Sequence, residues 1–518
     1  MKGTDLHPAF HDLSVFYGDI HNHCGVSYGK GSLEDAFRNA RLQLSFASVT
    51  VHAAWPDLPT DQPNLNYLVD YHRAGFQKAL ANWPHYQEIT EAQNQDGTFV
   101  TFPSFEWHSM QYGDHCVYFK ESAPARIIQA ADLPAMRAQL RAMDVPALLI
   151  PHHIGYRAGY RGINWSAFTD EFSPVAEVFS FHGLAESSEG VYPYLHSMGP
   201  RNGHSTAQYG WAQGHVFGVV GSTDHHNAFP GSYGYGRMGV WAEALTRDAI
   251  WDAIAQRRTY ALTGDCIALA FSLNEQVMGA ICPSDDERWI EVAVRGGDAL
   301  DYVDVLRNNQ IIHRQSLLSP PAESGPYRVY LELGWGEEPS DTHWDADVRL
   351  VDGRLLNVEP RFRGYGPTAN PPESDLAFTR LYQEDAQHVH FETRTRQNPS
   401  LHTPATEGVS LEIDGHSGTR LSACFNGLPV ELSMGDLLAG TCTFHLGGFV
   451  SPAICFHRAV AEAQYATRFA FLDRRQSDGR DWYYVRVRQR NSQWAWSSPI
   501  WIGEARAGSS FHSPRPIR

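Results

Sequence analysis

Along the first half of the chain, short apolar runs alternate with stretches whose apolar residues recur every three or four positions, and the runs repeatedly stop at a histidine or an acid. Residues 15–18, 44–51, 147–151, 176–181 and 218–221 read as strands, because runs this short and this rich in β-branched and aromatic side chains suit a buried pleated surface. Residues 133–143 and 247–256 read as helices. Alternating strands and helices predict an α/β unit with a parallel sheet or barrel. After residue 270 the texture changes. Runs at 289–294, 327–333, 386–392 and 482–488, separated by Gly, Pro, Asn and Asp, predict an all-β, sandwich-like region, with 360–372 as a Pro-, Gly- and Arg-rich loop. The expected division is therefore 1–270 and 271–518.

The chemistry lies where the first-half strands end. His21 and His23 follow the first run, and on an extended segment two residues spaced by two face the same side. His52 ends the second run. Glu106 follows Phe99-Val100-Thr101-Phe102-Pro103-Ser104-Phe105, a setting so apolar that its carboxylate needs a partner, a proton or a metal. His115 opens the next strand. His152 and His153 end another, and because neighbours face opposite ways, His152 is the expected ligand with His153 behind it. Asp224 and His226 close the series, again two apart. Of the 26 histidines, 17 precede residue 231. Taken singly each is an ordinary core or loop histidine, but imidazoles and carboxylates gathered at strand ends are the donor set for zinc, manganese or iron.

In this combination the chain resembles the PHP (polymerase and histidinol phosphatase) superfamily over residues 15–265, in a branch with a β-rich C-terminal extension. The resemblance implies a distorted seven-stranded (β/α) barrel with two or three divalent transition metal ions at the carboxyl ends of its strands. It implies that His21, His23, Glu106 and Asp224 hold one metal, Glu106, His115 and His152 a second, and His52 with His226 a third. Two positions depart from the family pattern: Tyr28 and Gly29 stand where relatives carry a ligand, and Val51 replaces an acid before His52. Both bear on the third site. The implied activity is a metal-dependent hydrolase, foremost a phosphoesterase on a phosphomonoester or phosphodiester, with hydroxide drawn from bound water. Arg157 is then the expected phosphate-binding cation and His182 the expected general acid, with His153 and His225 competing. Glu177 is placed to orient a ligand histidine, and Tyr28 to touch substrate.

Composition limits the partners. The formal net charge of −17 over 518 residues argues against nucleic acid and against an anionic membrane surface, leaving a small-molecule substrate. Residues 1–16 lack the basic start and apolar stretch of a signal peptide, and seven cysteines with no C-x-x-C pair fit reduced thiols in a cytoplasmic protein. Between residues 15 and 60 the cations are Lys30, Arg38 and Arg41, a thin supply for a phosphate pocket. That shortage supports a second reading, a metal-dependent hydrolase or lyase acting on an amide, lactone or sugar derivative; a non-catalytic metal-binding protein is the third. Gly234-Tyr235-Gly236-Arg237-Met238-Gly239 matches a dinucleotide fingerprint but leads into a strand rather than a helix. Cys24 beside His23 has no need to act as a nucleophile when metal supplies hydroxide. The sequence leaves the β-rich half three roles: capping the barrel mouth, self-association as a homo-oligomer, or stabilising the barrel.

Overall fold

The first half runs through β1 (Ser14–Asp19), α1 (Leu33–Gln43), β2 (Phe46–Ala47), β3 (Thr50–Ala54), α2 (Asn66–Gln93), β4 (Val100–Thr101), β5 (Ser104–Trp107) and β6 (His115–Phe119). It continues with α3 (Leu133–Met143), β7 (Ala147–Pro151), β8 (Val175–Ser180), β9 (Gly183–Leu184), α4 (Ala207–Ala212), β10 (Gly218–Gly221), β11 (Arg237–Ala242), α5 (Arg247–Ala255) and β12 (Thr259–Leu262). This computed structural model describes residues 2–3, 6–317, 323–337, 341–372, 376–475 and 479–504, so the last part of the expected β-rich half, 505–518, lies outside the described residues. Among the described residues no helix is long and apolar enough to cross a membrane.

Local chemistry explains most element boundaries. Ser32 caps α1 by accepting from the Asp35 amide, and Glu34 and Asp35 sit in the first turn, where the helix dipole favours negative charge. Asp132 caps α3 in the same way through the Ala135 amide. The expected strand 44–51 divides into β2 and β3, with Ser48 between them held through its side chain to the Phe102 carbonyl. Helices α1, α2 and α4 are not among the elements the apolar pattern predicts, and α2 is the longest of them. Its buried face is Val69, His72, Gly75, Ala79, Trp83, Tyr86 and Thr90, spaced by threes and fours as a helix requires. That face mixes His, Gly and Thr with the apolar residues, so no apolar stripe marks it, and Pro84 lies inside it.

The expected parallel barrel is realised differently. Strand β1 pairs parallel with β2 and β2 with β4, but β1 also pairs antiparallel with β11, and β11 with β12. A separate sheet holds β3 parallel to β5, then β6 and β7 antiparallel, and a third pairs β8 parallel with β10. Among the described residues the first-half strands thus fall into three ladders. Among the described residues this strand pairing does not show a closed seven-stranded ring. The strands are two to six residues long, and register slips between His52 and Ala54 and between Val220 and Gly221 break the pairing near the site.

The second half is β-rich, as expected. Two antiparallel sheets, one including Ser324–Gly334 and Glu407–His416 and the other including Thr342–Val351 and His388–Thr395, enclose an apolar core containing Tyr327, Leu331, Phe391 and Leu411. Strand pairing also crosses residue 270. Trp494–Ser497 pairs with β12, and Trp496 and Trp501 bury beside Val178, Phe179 and Ala261. A chain ending at Asp265 loses these partners; each uncovered large apolar side chain forfeits about 1.5–3 kcal/mol, against a whole-domain stability of about 5–15 kcal/mol. The truncated chain is expected in the insoluble fraction, and a soluble truncation with an unchanged melting temperature would contradict this packing.

Candidate metal centre

At the end of β1, Asp19 ties the opening and closing segments together. Its carboxylate accepts from the His21 amide (3.1 Å), the Thr223 amide (3.2 Å) and hydroxyl (2.5 Å), and the Gly231 amide (2.8 Å). Beyond it, His21 and His23 turn to one side, with their Nε2 atoms 3.2 Å apart. Asp224 Oδ1 lies 3.3 Å from His21 Nε2 and 2.9 Å from His23 Nε2. Each ring is fixed by its other nitrogen: His21 Nδ1 meets Glu177 Oε2 at 2.8 Å, and His23 Nδ1 donates to the Thr50 carbonyl at 2.7 Å. Such outer partners set a ligand histidine's tautomer and aim.

Glu106 lies at the middle of the cluster. Oε2 is 3.3 Å from His52 Nε2 and 3.5 Å from His23 Nε2, while Oε1 is 2.8 Å from His152 Nε2 and 3.2 Å from His108 Nδ1. His226 Nδ1 donates to the Asp224 carbonyl, and its ring lies 4.5 Å from that of His23. His21, His23 and Glu106, and likewise His23, His52 and His226, each bring one donor atom within 4.8 Å of the others. A further such group is Glu106, Asp114, His152 and His153.

Asp114 and His108 also belong here and are not among the expected site residues, although Glu106-Trp107-His108 repeats the spacing of His21 and His23 at a strand end. Asp114 is fully buried and paired with Arg161, whose Nε lies 2.9 Å away and whose Nη2 also meets it; Asp114 Oδ2 further contacts His108 Nδ1 at 2.9 Å and His153 Nε2 at 3.2 Å. Burial alone would raise its pKa, but Arg161 and His108 hold it well below the usual carboxylate range. Asp224 is likewise held low against burial, by His21 and by hydrogen bonds from His182 and His23. Glu106 goes the other way: burial pushes it well above the usual range against the field of His21, and Asp114 and Asp224 push it further.

The structure redistributes several expected roles. His115 pairs across the ladder with Trp107 while Cys116 pairs with Glu106, so Cys116 shares the face of Glu106. His115 turns away, its Nδ1 on the Gly113 carbonyl at 2.9 Å, and it joins none of the clusters. Arg157 is exposed and lies over the Tyr160 ring. The cation that reaches the cluster is Arg161, with 15% side-chain exposure, stacked 4.7 Å over Trp55. His182 Nε2 donates to Asp224 Oδ2 (3.0 Å) while Nδ1 accepts from the Tyr156 hydroxyl (2.6 Å). Burial holds its pKa down to about 3 against the pull of Asp224, and its ring links the Tyr156 hydroxyl to the Asp224 carboxylate. His225 donates instead to the Tyr365 carbonyl. Tyr28 is half-buried, its ring stacked 3.6 Å from that of His52, and it packs a ligand candidate in place. Cys24 is buried with its thiol pushed up to about 12, which leaves it inert, and the glycine-rich motif runs into β11 as expected.

The donor set fits divalent metal. Glu106 Oε2, His108 Nε2, both ring nitrogens of His152 and His153 Nδ1 are buried without a hydrogen-bond partner among the described residues. Glu106 Oε1 and His152 Nε2 approach to 2.8 Å without hydrogen-bond alignment. A buried carboxylate oxygen and buried imidazole nitrogens left without partners are costly unless a cation satisfies some of them. The surrounding histidines also set an acid limit on the metal-free fold. Burial lowers His72 and His115 to about 4, each against a carbonyl hydrogen bond that pulls the other way. Below the ordinary value of 6.5 the unfolded chain takes up these protons and the folded one does not, so stability falls with falling pH, by about 1.4 kcal/mol per pH unit for each group down to about pH 4. Urea midpoints of the metal-free protein are expected to drop between pH 7 and pH 5; a flat profile would contradict the burial.

Comparison with known proteins gives partial matches. A family model described as a protein of unknown function (DUF3604) matches residues 232–297. An uncharacterized protein of Chlamydia trachomatis serovar D is 28% identical over 169 residues, 29% of this chain and 27% of that protein. One of Chlamydia muridarum is 27% identical over 223 residues, 36% of each chain. The chain thus spans roughly a third of the length of the curated relatives it matches. Among solved structures, a two-domain protein from Bacteroides vulgatus, described as containing a predicted PHP-like metal-dependent phosphoesterase, is 12% identical over 82% of this chain and 97% of that one, with a TM-score of 0.33.

Proposed function

We propose that the protein is a metal-dependent hydrolase of the PHP type, most specifically a phosphoesterase, with residues 1–270 as its catalytic unit. The observation that carries this reading is the convergence of buried His21, His23, His52, Glu106, His152 and Asp224 with half-buried His226, beside the half-buried guanidinium of Arg161. Divalent cations held by this set lower the pKa of water and neutralise charge on a substrate oxygen. His21, His23, Glu106 and Asp224 are proposed for one ion and Glu106, Asp114, His152 and His153 for a second, with His52 and His226 beside the first. His182 and Glu177 hold Asp224 and His21 at their angles. Arg161 answers the shortage of cations in the opening segment: Asp114 fixes its Nε and Nη2, while Nη1 meets the Met198 sulfur, at 3.0 Å, a weak acceptor that a phosphoryl oxygen would displace.

The test is reconstitution with manganese, zinc or ferrous iron, followed by release from aryl phosphomonoester and phosphodiester substrates. Turnover that depends on metal and on Asp224 supports the reading. A fully metallated protein silent on both ester classes overturns the phosphoesterase assignment and moves the search to amides, lactones and sugar derivatives.

A further inference from the structure

We infer that loop 362–369 of the β-rich half is a structural part of the metal centre, and that Asn227 is the positioning residue through which it fixes Asp224 and His226. The inference rests on the metal-centre reading and extends it to a segment far away in sequence.

The turn that carries Asp224 and His226 is not self-supporting. Asp224 (φ +52°) and Ala228 (φ +51°) both occupy the left-handed region, where a residue with a Cβ is strained by about 1 kcal/mol or more and persists only if its surroundings hold it. From below, the turn is held by the opening segment: the Asp224 amide donates to the His21 carbonyl (2.7 Å) and the Ala228 amide to that of His23 (3.1 Å). From above, it is held by the β-rich half. Asn227 Nδ2 donates to the carbonyls of Gly366 (2.6 Å) and Ala369 (3.1 Å), His225 Nε2 to that of Tyr365 (2.8 Å), and the His226 amide to that of Pro367 (3.0 Å).

The loop is itself anchored. Glu407, on a strand of the second-half sandwich, accepts from the amides of Arg363 (2.6 Å) and Gly364 (2.8 Å). Phe229, two residues beyond Asn227, buries in the apolar core of that sandwich beside Phe362. Gly364 has φ +68°, and a Cβ there would come within 2.4 Å of the Phe229 ring, so the close approach of loop and turn needs glycine at that position. A continuous path of hydrogen bonds and packing therefore runs from Glu407 through the loop to the two residues proposed to hold metal. The β-rich half thus supplies rigidity to the site, and among the described residues it adds no donor to the clusters.

The test uses the full chain and two variants, Asn227→Ala on the turn and Gly364→Ala on the loop, with manganese and zinc as probes. Dissociation constants are measured by competition with a chelator, and melting temperatures with and without metal. Loss of a group that orients ligands weakens metal binding by about 10–100-fold. Both variants are expected to lie in that range and to show a smaller metal-induced rise in melting temperature than the unaltered chain. A merely structural role would lower the metal-free melting temperature and leave affinity and the metal-induced rise intact, and that result in a folded Asn227→Ala or Gly364→Ala protein overturns the inference alone. An unaltered chain that takes up neither ion overturns the metal-centre reading and this inference together.

Discussion

Asp224→Ala is expected to lose metal at the site formed with His21, His23 and Glu106 and to reduce turnover more than a thousandfold. The carboxylate does two things here: Oδ1 stands against His21 and His23, and Oδ2 accepts from His182. Its low pKa keeps it ionised, the form in which it binds a cation. Because residue 224 also sits in left-handed backbone, the alanine variant combines lost charge with added strain. Asp224→Asn separates them, since asparagine tolerates that conformation but carries no charge. Both variants are expected to be metal-poor by elemental analysis. Stoichiometric metal in Asp224→Asn would remove Asp224 from the ligand set, whereas His115→Gln is expected to keep its metal because His115 faces the Trp107 side of the ladder.

Arg161→Met is expected to lower kcat/KM on phosphate esters by about 10²–10³-fold, the usual cost of removing a fixed donor aimed at developing charge. It also leaves Asp114 buried without its cation, a loss of about 3–5 kcal/mol for a broken buried pair, so the variant is expected to melt lower. Arg161→Lys keeps the charge but not the planar fork that holds Asp114 while leaving Nη1 directed elsewhere, and an intermediate rate is expected. If Arg161→Met turned over esters at the unaltered rate while binding more metal, Arg161 would serve only to neutralise Asp114.

Much of this site is legible from residue order alone. His21 and His23, or Asp224 and His226, stand two apart after short apolar runs, and β-geometry puts such pairs on one side whatever the rest of the fold does. Glu106 is legible because a carboxylate after seven largely apolar residues must find a partner. The same rule extended to Glu106 and His108 would have reached a further member of the cluster.

The remainder depends on pairing and on distant chain. Alternation says that Asp114 and His115 face opposite ways, but which of them faces the metal cluster is decided by the register that sets Cys116 against Glu106 and His115 against Trp107. Likewise, both Arg157 and Arg161 follow His153 in sequence, and only the bend at Arg161, with φ +66°, brings its guanidinium to Asp114. The dependence of the Asp224 turn on residues 362–369 has no signal near either segment, because it exists only once Phe229 is buried in the second-half core. The sequence by itself determined which chemistry gathers at the strand ends, since that follows from residue type and a period of two; tertiary structure decided which neighbours face the centre and what holds them there, since register and long-range closure are properties of pairs of segments and not of either alone.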